Sequence, residues 1–217
     1  AYGVWETRNF RRMKGVADEL SAQLMRKEIE IGRLATVDEL TGLYTRREFD
    51  RKLELEFARS KRHAHALSLM LIEVDDITTL GEGVGSLNKG YLMSEVSAIL
   101  RGTLRANDTG CRYTNEVLAL LLPETVEANA LAVATRLRDA VGKRDFLVHI
   151  APKVRLTVSQ GIATLRDEFE APDALVRAAE TALVDARTQG IDRIATYAPK
   201  TAPDAPDTGT GPFRLAS

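Results

Sequence analysis

The sequence predicts an α/β (α+β) layer fold, a sheet flanked by helices, with a helical extension ahead of it. Three observations carry this expectation. Strand-like and helix-like segments follow one another in the order strand, helix, strand, strand, helix, strand, the pattern of helices layered on a sheet. From residue 66 the chain is apolar but for one Ser, then closes on Glu73, Asp75 and Asp76, as a central strand with acids at its carboxyl end would. Residues 105–123, RANDTGCRYTNEVLALLLP, read as a helix end, a short strand, the polar turn Thr114-Asn115-Glu116 and a second strand, which is a hairpin pattern.

Composition narrows the class. A chain of 217 residues has room for one well-buried domain and an extension. A formal charge of -1 gives no reason to expect nucleic acid, which demands a basic face. The single cysteine, Cys111, excludes an internal disulfide and fits a reducing compartment; in a buried strand it reads as a small core residue. The expected location is therefore cytoplasmic.

Taken in order, residues 10–34 repeat apolar side chains at spacings of three and four: Phe10, Ala17, Leu24 and Ile31 at one heptad position, Met13, Leu20 and Leu34 at the other, with Lys27 interrupting. A stripe of this kind needs a second copy to cover it, so residues 1–36 are expected to form a parallel homodimeric coiled coil. An amphipathic helix folded back on the domain is the alternative. Trp5 with Arg8, Arg11, Arg12 and Lys14 would suit the cytoplasmic exit of a membrane helix, so an upstream membrane or sensor domain is envisaged.

Thr41-Gly42 breaks the helical pattern, which resumes over residues 48–59 with Phe49, Leu53 and Phe57 on one face. The loop over residues 80–90 is glycine-rich but fits neither the dinucleotide nor the Walker spacing. A helix over 91–104 presents Leu92, Val96, Ile99, Leu100 and Leu104 inward. Thr-Asn is a poor pair for a tight primed turn, which wants glycine at positive φ; a turn without glycines suggests that close ligand approach is no longer required there. Residues 127–141 form the next helix, 154–164 a strand, 172–188 the last amphipathic helix and 193–197 a closing strand. From residue 199 the chain is rich in Pro, Ala, Thr, Asp and Gly, and is expected to be a disordered tail.

Several of these segments resemble the GGDEF (diguanylate cyclase) family. DELTGLYTRR at 38–47 is similar to the family's D-x-L-T-G-L-x-N-R-R, with Thr45 in place of Asn. TVSQGIA at 157–163 resembles T-V-S-x-G-I-A, and Arg112-Tyr113 precedes the turn where the family carries its signature. The resemblance covers about residues 36–197. It implies a nucleotide-cyclase-like GGDEF domain over 37–198, with a mostly antiparallel, five-stranded central sheet covered by helices.

The family's reaction joins two GTP molecules, one per subunit, with two divalent cations neutralising charge. By the same resemblance, Glu73 stands at the first metal position in place of Asp and Glu116 matches the acid of the turn; both are read as vestigial. The guanine-gripping Asn and Asp correspond to Gly81 and Gly90, the phosphate-contacting Lys to Thr78 and an Arg near the last helix to Ile191; Arg187 could replace a second Lys. Thr114 and Asn115 replace the signature glycines, and Val117 its second acid. A site built to hydrogen-bond its substrate loses on the order of 10⁴-fold discrimination with those partners, so the copy is expected to be degenerate and catalytically inactive, with no cofactor required.

Taken alone, Arg105 and Asp108 read as an i,i+3 ion pair at a helix end, an ordinary surface feature. In the family, an Arg-x-x-Asp at this offset is the inhibitory site for the product, cyclic di-GMP, and an Arg on the following helix, here Arg136, reaches the same ligand. An Arg fork suits a phosphate oxygen or the guanine O6/N7 edge, and an Asp suits guanine N–H donors. The expectation is a non-catalytic cyclic di-GMP receptor that relays its state through a dimeric helix. A partner-docking pseudo-enzyme and a residual cyclase are the alternatives.

Overall fold

The computed structural model describes residues 35–77, 86–148 and 151–199, together with Glu19. The heptad helix, the tail from residue 200, Thr78 and Gly81 lie outside the described residues. In chain order the elements are β1 (Tyr44–Thr45), α1 (Arg46–His63), β2 (Leu67–Val74), α2 (Ser86–Thr103), β3 (Thr109–Arg112), β4 (Val117–Pro123), α3 (Glu127–Gly142), β5 (Phe146–Val148), β6 (Ala151–Val154), β7 (Val158–Thr164), α4 (Pro172–Thr188) and β8 (Ile194–Thr196).

The main sheet runs β1-β3-β4-β2-β7-β8. Its inner pairs, β3–β4, β4–β2 and β2–β7, are antiparallel, and the two outermost, β1–β3 and β7–β8, are parallel. β2 therefore lies in the middle, and its side chains alternate between two cores as a pleated strand requires. Met70, Ile72 and Val74 pack on one face with Leu92, Val96 and Leu100 of α2 and Ala134 and Leu137 of α3. Leu67, Leu69 and Leu71 pack on the other with Phe49, Leu53 and Phe57 of α1 and Leu175 and Ala179 of α4. Burial on both faces is the reason this strand reads as a continuous apolar run.

α4 sits directly on β7. A Cβ at Gly161 would lie 2.1 Å from the Leu183 amide nitrogen and 2.5 Å from the Ala179 carbonyl oxygen, so only glycine permits this approach. That contact brings the carboxyl-terminal end of α4, with Arg187, alongside the end of β2.

Three expectations change. The sheet has six strands, because Tyr44 and Thr45 pair in parallel with Cys111 and Arg112; two residues are too few to show a periodicity. The segment 154–164 is two strands, β6 and β7, with residues 155–157 between them, and β6 pairs with β5 in a separate two-stranded sheet. α2 starts at Ser86, five residues before the predicted position. Among the described residues no helix is long and apolar enough to cross a membrane.

Candidate functional site

The acids at the carboxyl end of β2 meet the start of β4. Glu73 lies opposite Val117 in the antiparallel register, which places Glu116 beside it. Arg187 of α4 donates to the Glu73 carboxylate at 3.1 Å, and the Lys89 ammonium of α2 pairs with the Glu116 carboxylate. Burial pushes the Glu73 carboxyl above its ordinary value; Arg187 opposes the shift, while the charges of Asp75 and Glu116 add to it.

Asp75, buried at the base of this corner, accepts hydrogen bonds from the Thr157 hydroxyl (2.7 Å), the Ser159 hydroxyl (2.7 Å) and the Asp192 backbone N–H (3.0 Å). One carboxylate thus ties β2 to β7 and to the loop after α4. Asp76 beside it and Asp192 across from it both have left-handed backbone, with φ of 55° and 58°.

The signature-position turn closes without glycine. Its backbone is held by the Tyr113 and Thr114 amides donating to the Val117 carbonyl at 2.9 and 3.0 Å. The Thr114 hydroxyl accepts the Glu116 and Val117 amides at 3.2 and 3.1 Å. Neither Thr114 nor Asn115 has positive φ, so the expected conflict between Thr and a primed turn does not arise: a hydroxyl-capped turn replaces it. Behind the turn, Arg112 donates to Asp38 (3.1 Å), which also accepts the Thr41 amide and hydroxyl. Burial opposes ionisation of Asp38, yet these donors hold its carboxyl below the ordinary value. Gly42 (φ 64°) lets this segment pass close under Arg101, whose guanidinium donates to the Thr41 carbonyl. Cys111 is fully buried, and burial pushes its thiol up to about 12, consistent with a core residue and not a nucleophile.

Arg105 and Asp108 form a turn between α2 and β3, and the structure corrects the expected ion pair. The Asp108 carboxylate accepts the Arg105 backbone N–H at 2.8 Å, and the Asp108 amide donates to the Arg105 carbonyl at 3.1 Å. The carboxylate locks the turn, and no ion pair or hydrogen bond engages the exposed Arg105 guanidinium among the described residues. Arg136 is exposed on α3, and among the described residues no hydrogen bond or ion pair joins it to the turn. Asp108 also borders a cleft of about 290 Å³ whose lining includes Tyr44, Arg51, Lys52, Arg59 and Glu124. The structure thus brings Arg105 and Asp108 together and places Arg136 on a separate element.

A pair of divalent cations, implied by the resemblance for a cyclase, does not fit this corner. Mg²⁺ needs free carboxylate oxygens in near-octahedral array, whereas Glu73 and Glu116 face cations of the chain itself and both oxygens of Asp75 already accept hydrogen bonds, from three donors in all. Among the described residues no three His, Cys, Asp or Glu side chains converge as a metal ion requires. Gly90, where the resemblance implies a guanine-gripping Asp, faces the Leu40 side chain, with no polar group of its own to offer a base.

Sequence reasoning did not single out Lys89, because the segment before residue 91 read as loop. Once α2 begins at Ser86, Lys89 falls in the first helical turn, where a cation opposes the helix dipole. That misplacement is the signal that could have found it.

Comparison with known proteins accords with this geometry. A family profile described as "Diguanylate cyclase, GGDEF domain" matches residues 35–193. Response regulator PleD of Caulobacter vibrioides is 30% identical over 158 residues, covering 72% of this chain and 35% of PleD. Probable diguanylate cyclase DgcC of Escherichia coli K12 is 24% identical over 178 residues, 82% of this chain and 47% of DgcC. The chain therefore spans between a third and a half of these relatives. Among solved structures, the GGDEF domain of DgcB from Caulobacter crescentus in complex with c-di-GMP superposes with a TM-score of 0.72 at 21% identity, covering 75% of this chain and 96% of that one. Diguanylate cyclase SiaD from Pseudomonas aeruginosa in complex with its activator SiaC gives 0.71 at 26% identity, covering 88% and 73%. With the profile extending from the strand-entry motif before β1 to the residue before β8, the chain belongs to the GGDEF domain family of diguanylate cyclases.

Proposed function

We propose that this chain is a degenerate GGDEF domain that binds cyclic di-GMP without making it, at an inhibitory-type site formed by Arg105, Asp108 and Arg136. The observation that carries the reading is the contrast in partners. The Arg105 guanidinium is exposed and, among the described residues, unengaged on a turn that Asp108 closes, while the acids at the corner of β2 and β4 are taken by Lys89 and Arg187. A fixed turn with a free guanidinium is preorganised for a phosphate or a guanine edge, because little order remains to be imposed on binding. The related DgcB domain was crystallised with c-di-GMP.

In this reading the ligand bridges the turn to a neighbouring domain or protomer, and the helix of residues 1–36, paired in a homodimer, carries the change in orientation. The setting is cytoplasmic. No cofactor is required.

Isothermal titration with cyclic di-GMP tests it. Micromolar or tighter binding is expected, and Arg105→Ala should weaken it by at least ~100-fold, the loss of a bidentate charged contact; unchanged affinity in that variant discards the site. A second reading, residual cyclase activity, draws on the retained turn acid Glu116 and on the family itself. Synthesis of cyclic di-GMP from GTP with Mg²⁺ or Mn²⁺ by the purified protein would favour it and end the non-catalytic reading.

A further inference from the structure

We infer that Lys89 and Arg187 are tethered cations that occupy the places of divalent metal ions, so that this chain excludes Mg²⁺ and Mn²⁺ from the corner where β2 and β4 meet. Each of the two acids facing that corner has one of these cations on it: Lys89 on Glu116, and Arg187 on Glu73 at 3.1 Å. An ammonium or guanidinium supplies the positive charge that two adjacent carboxylates need, and it arrives without the dehydration that Mg²⁺ undergoes reluctantly. The third acid, Asp75, is committed to the fold, with one oxygen accepting the Ser159 hydroxyl and the other the Thr157 hydroxyl and the Asp192 amide.

The placement of Lys89 is the second, independent observation. The first turn of α2 contains no acid, and Lys89 lies there, where the exposed amides already present positive potential. The helix gains nothing electrostatically from a cation at that end, so its compensation is Glu116. Arg187, by contrast, lies in the last turn of α4, where a cation suits the dipole, and it is more exposed than Lys89, with 60% of its side-chain surface accessible against 27%. Lys89 is therefore the tighter of the two locks.

The inference is separate from cyclic di-GMP binding, because its test contains no nucleotide. Mn²⁺ is titrated into the full chain and followed by electron paramagnetic resonance of the free ion. Wild type is expected to take up no Mn²⁺ at this corner. Lys89→Met, which keeps the aliphatic stem, and the double variant Lys89→Met/Arg187→Met should bind it at least roughly tenfold more tightly, because the net carboxylate charge of a site sets its affinity. Adding Glu116→Gln to either should remove the gain. Circular dichroism identifies which variants are folded, and Lys89→Met alone suffices if the double variant is not. Mn²⁺ binding by wild type that Glu116→Gln abolishes overturns the inference, as does a folded Lys89→Met variant with no gain.

Discussion

At the end of β2, Glu73, Asp75 and Glu116 all find their partners inside the chain; at the turn after α2, Asp108 is spent on the backbone and the Arg105 guanidinium is left to solvent. The first region is self-satisfied and the second is poised. A corner whose charges are already neutralised gains little from a ligand, since any newcomer must first displace an intramolecular partner. A guanidinium on a locked turn has no such competitor. Within one family fold, then, paired acids and an exposed guanidinium sit at the two ends of one helix, since α2 carries Lys89 in its first turn and leads into the Arg105 turn.

The sharpest way to break this comparison is at Asp75. If the corner is held together by its own hydrogen bonds, Asp75→Ala leaves the buried Ser159 hydroxyl and two further donors without an acceptor. The expected loss is about 3 kcal/mol, roughly a 10 °C fall in Tm for a domain of this size. A melt within a degree of wild type would show that the corner is not a structural knot.

The intermediate effect is pH-dependent and concerns Glu73. Its carboxyl is raised by burial, so the folded chain holds that proton more tightly than the unfolded chain, and stability is lost as pH rises from the ordinary value of 4.5 through the raised one. Glu73→Gln removes that loss. Melts across this range should match wild type under acid conditions, then rise above it and level off near neutrality. A difference that grows toward acid has the wrong sign and would mean that the Arg187 contact outweighs burial.

The smallest effect is expected at Arg105. Arg105→Ala should change stability in the absence of ligand by no more than about 0.5 kcal/mol, as for any exposed side chain without a partner. A larger loss would give the guanidinium a structural duty and blunt the contrast with the corner.

Much of this was readable before any coordinates. β2 announced itself because a strand buried on both faces has no polar side to show, and Phe49, Leu53 and Phe57 marked the buried face of α1. Arg105 and Asp108 were legible as a unit by spacing. Their contact was not, since the same i,i+3 spacing serves a side-chain ion pair or a backbone lock, and only coordinates distinguish them. β1 escaped because its two residues pair with a strand more than sixty positions away. The Lys89–Glu116 contact escaped for the same reason, a sequence separation of 27 residues that no local pattern reports.

The hydroxyl of Thr114 has one more consequence. Because a side chain caps the signature-position turn and neither Thr114 nor Asn115 has positive φ, its shape does not depend on residues without side chains. Placing glycines at 114 and 115 would add backbone freedom that this turn does not use. It would also remove the hydroxyl that caps the turn, leaving the two amide bonds to the Val117 carbonyl to hold it closed beside Lys89.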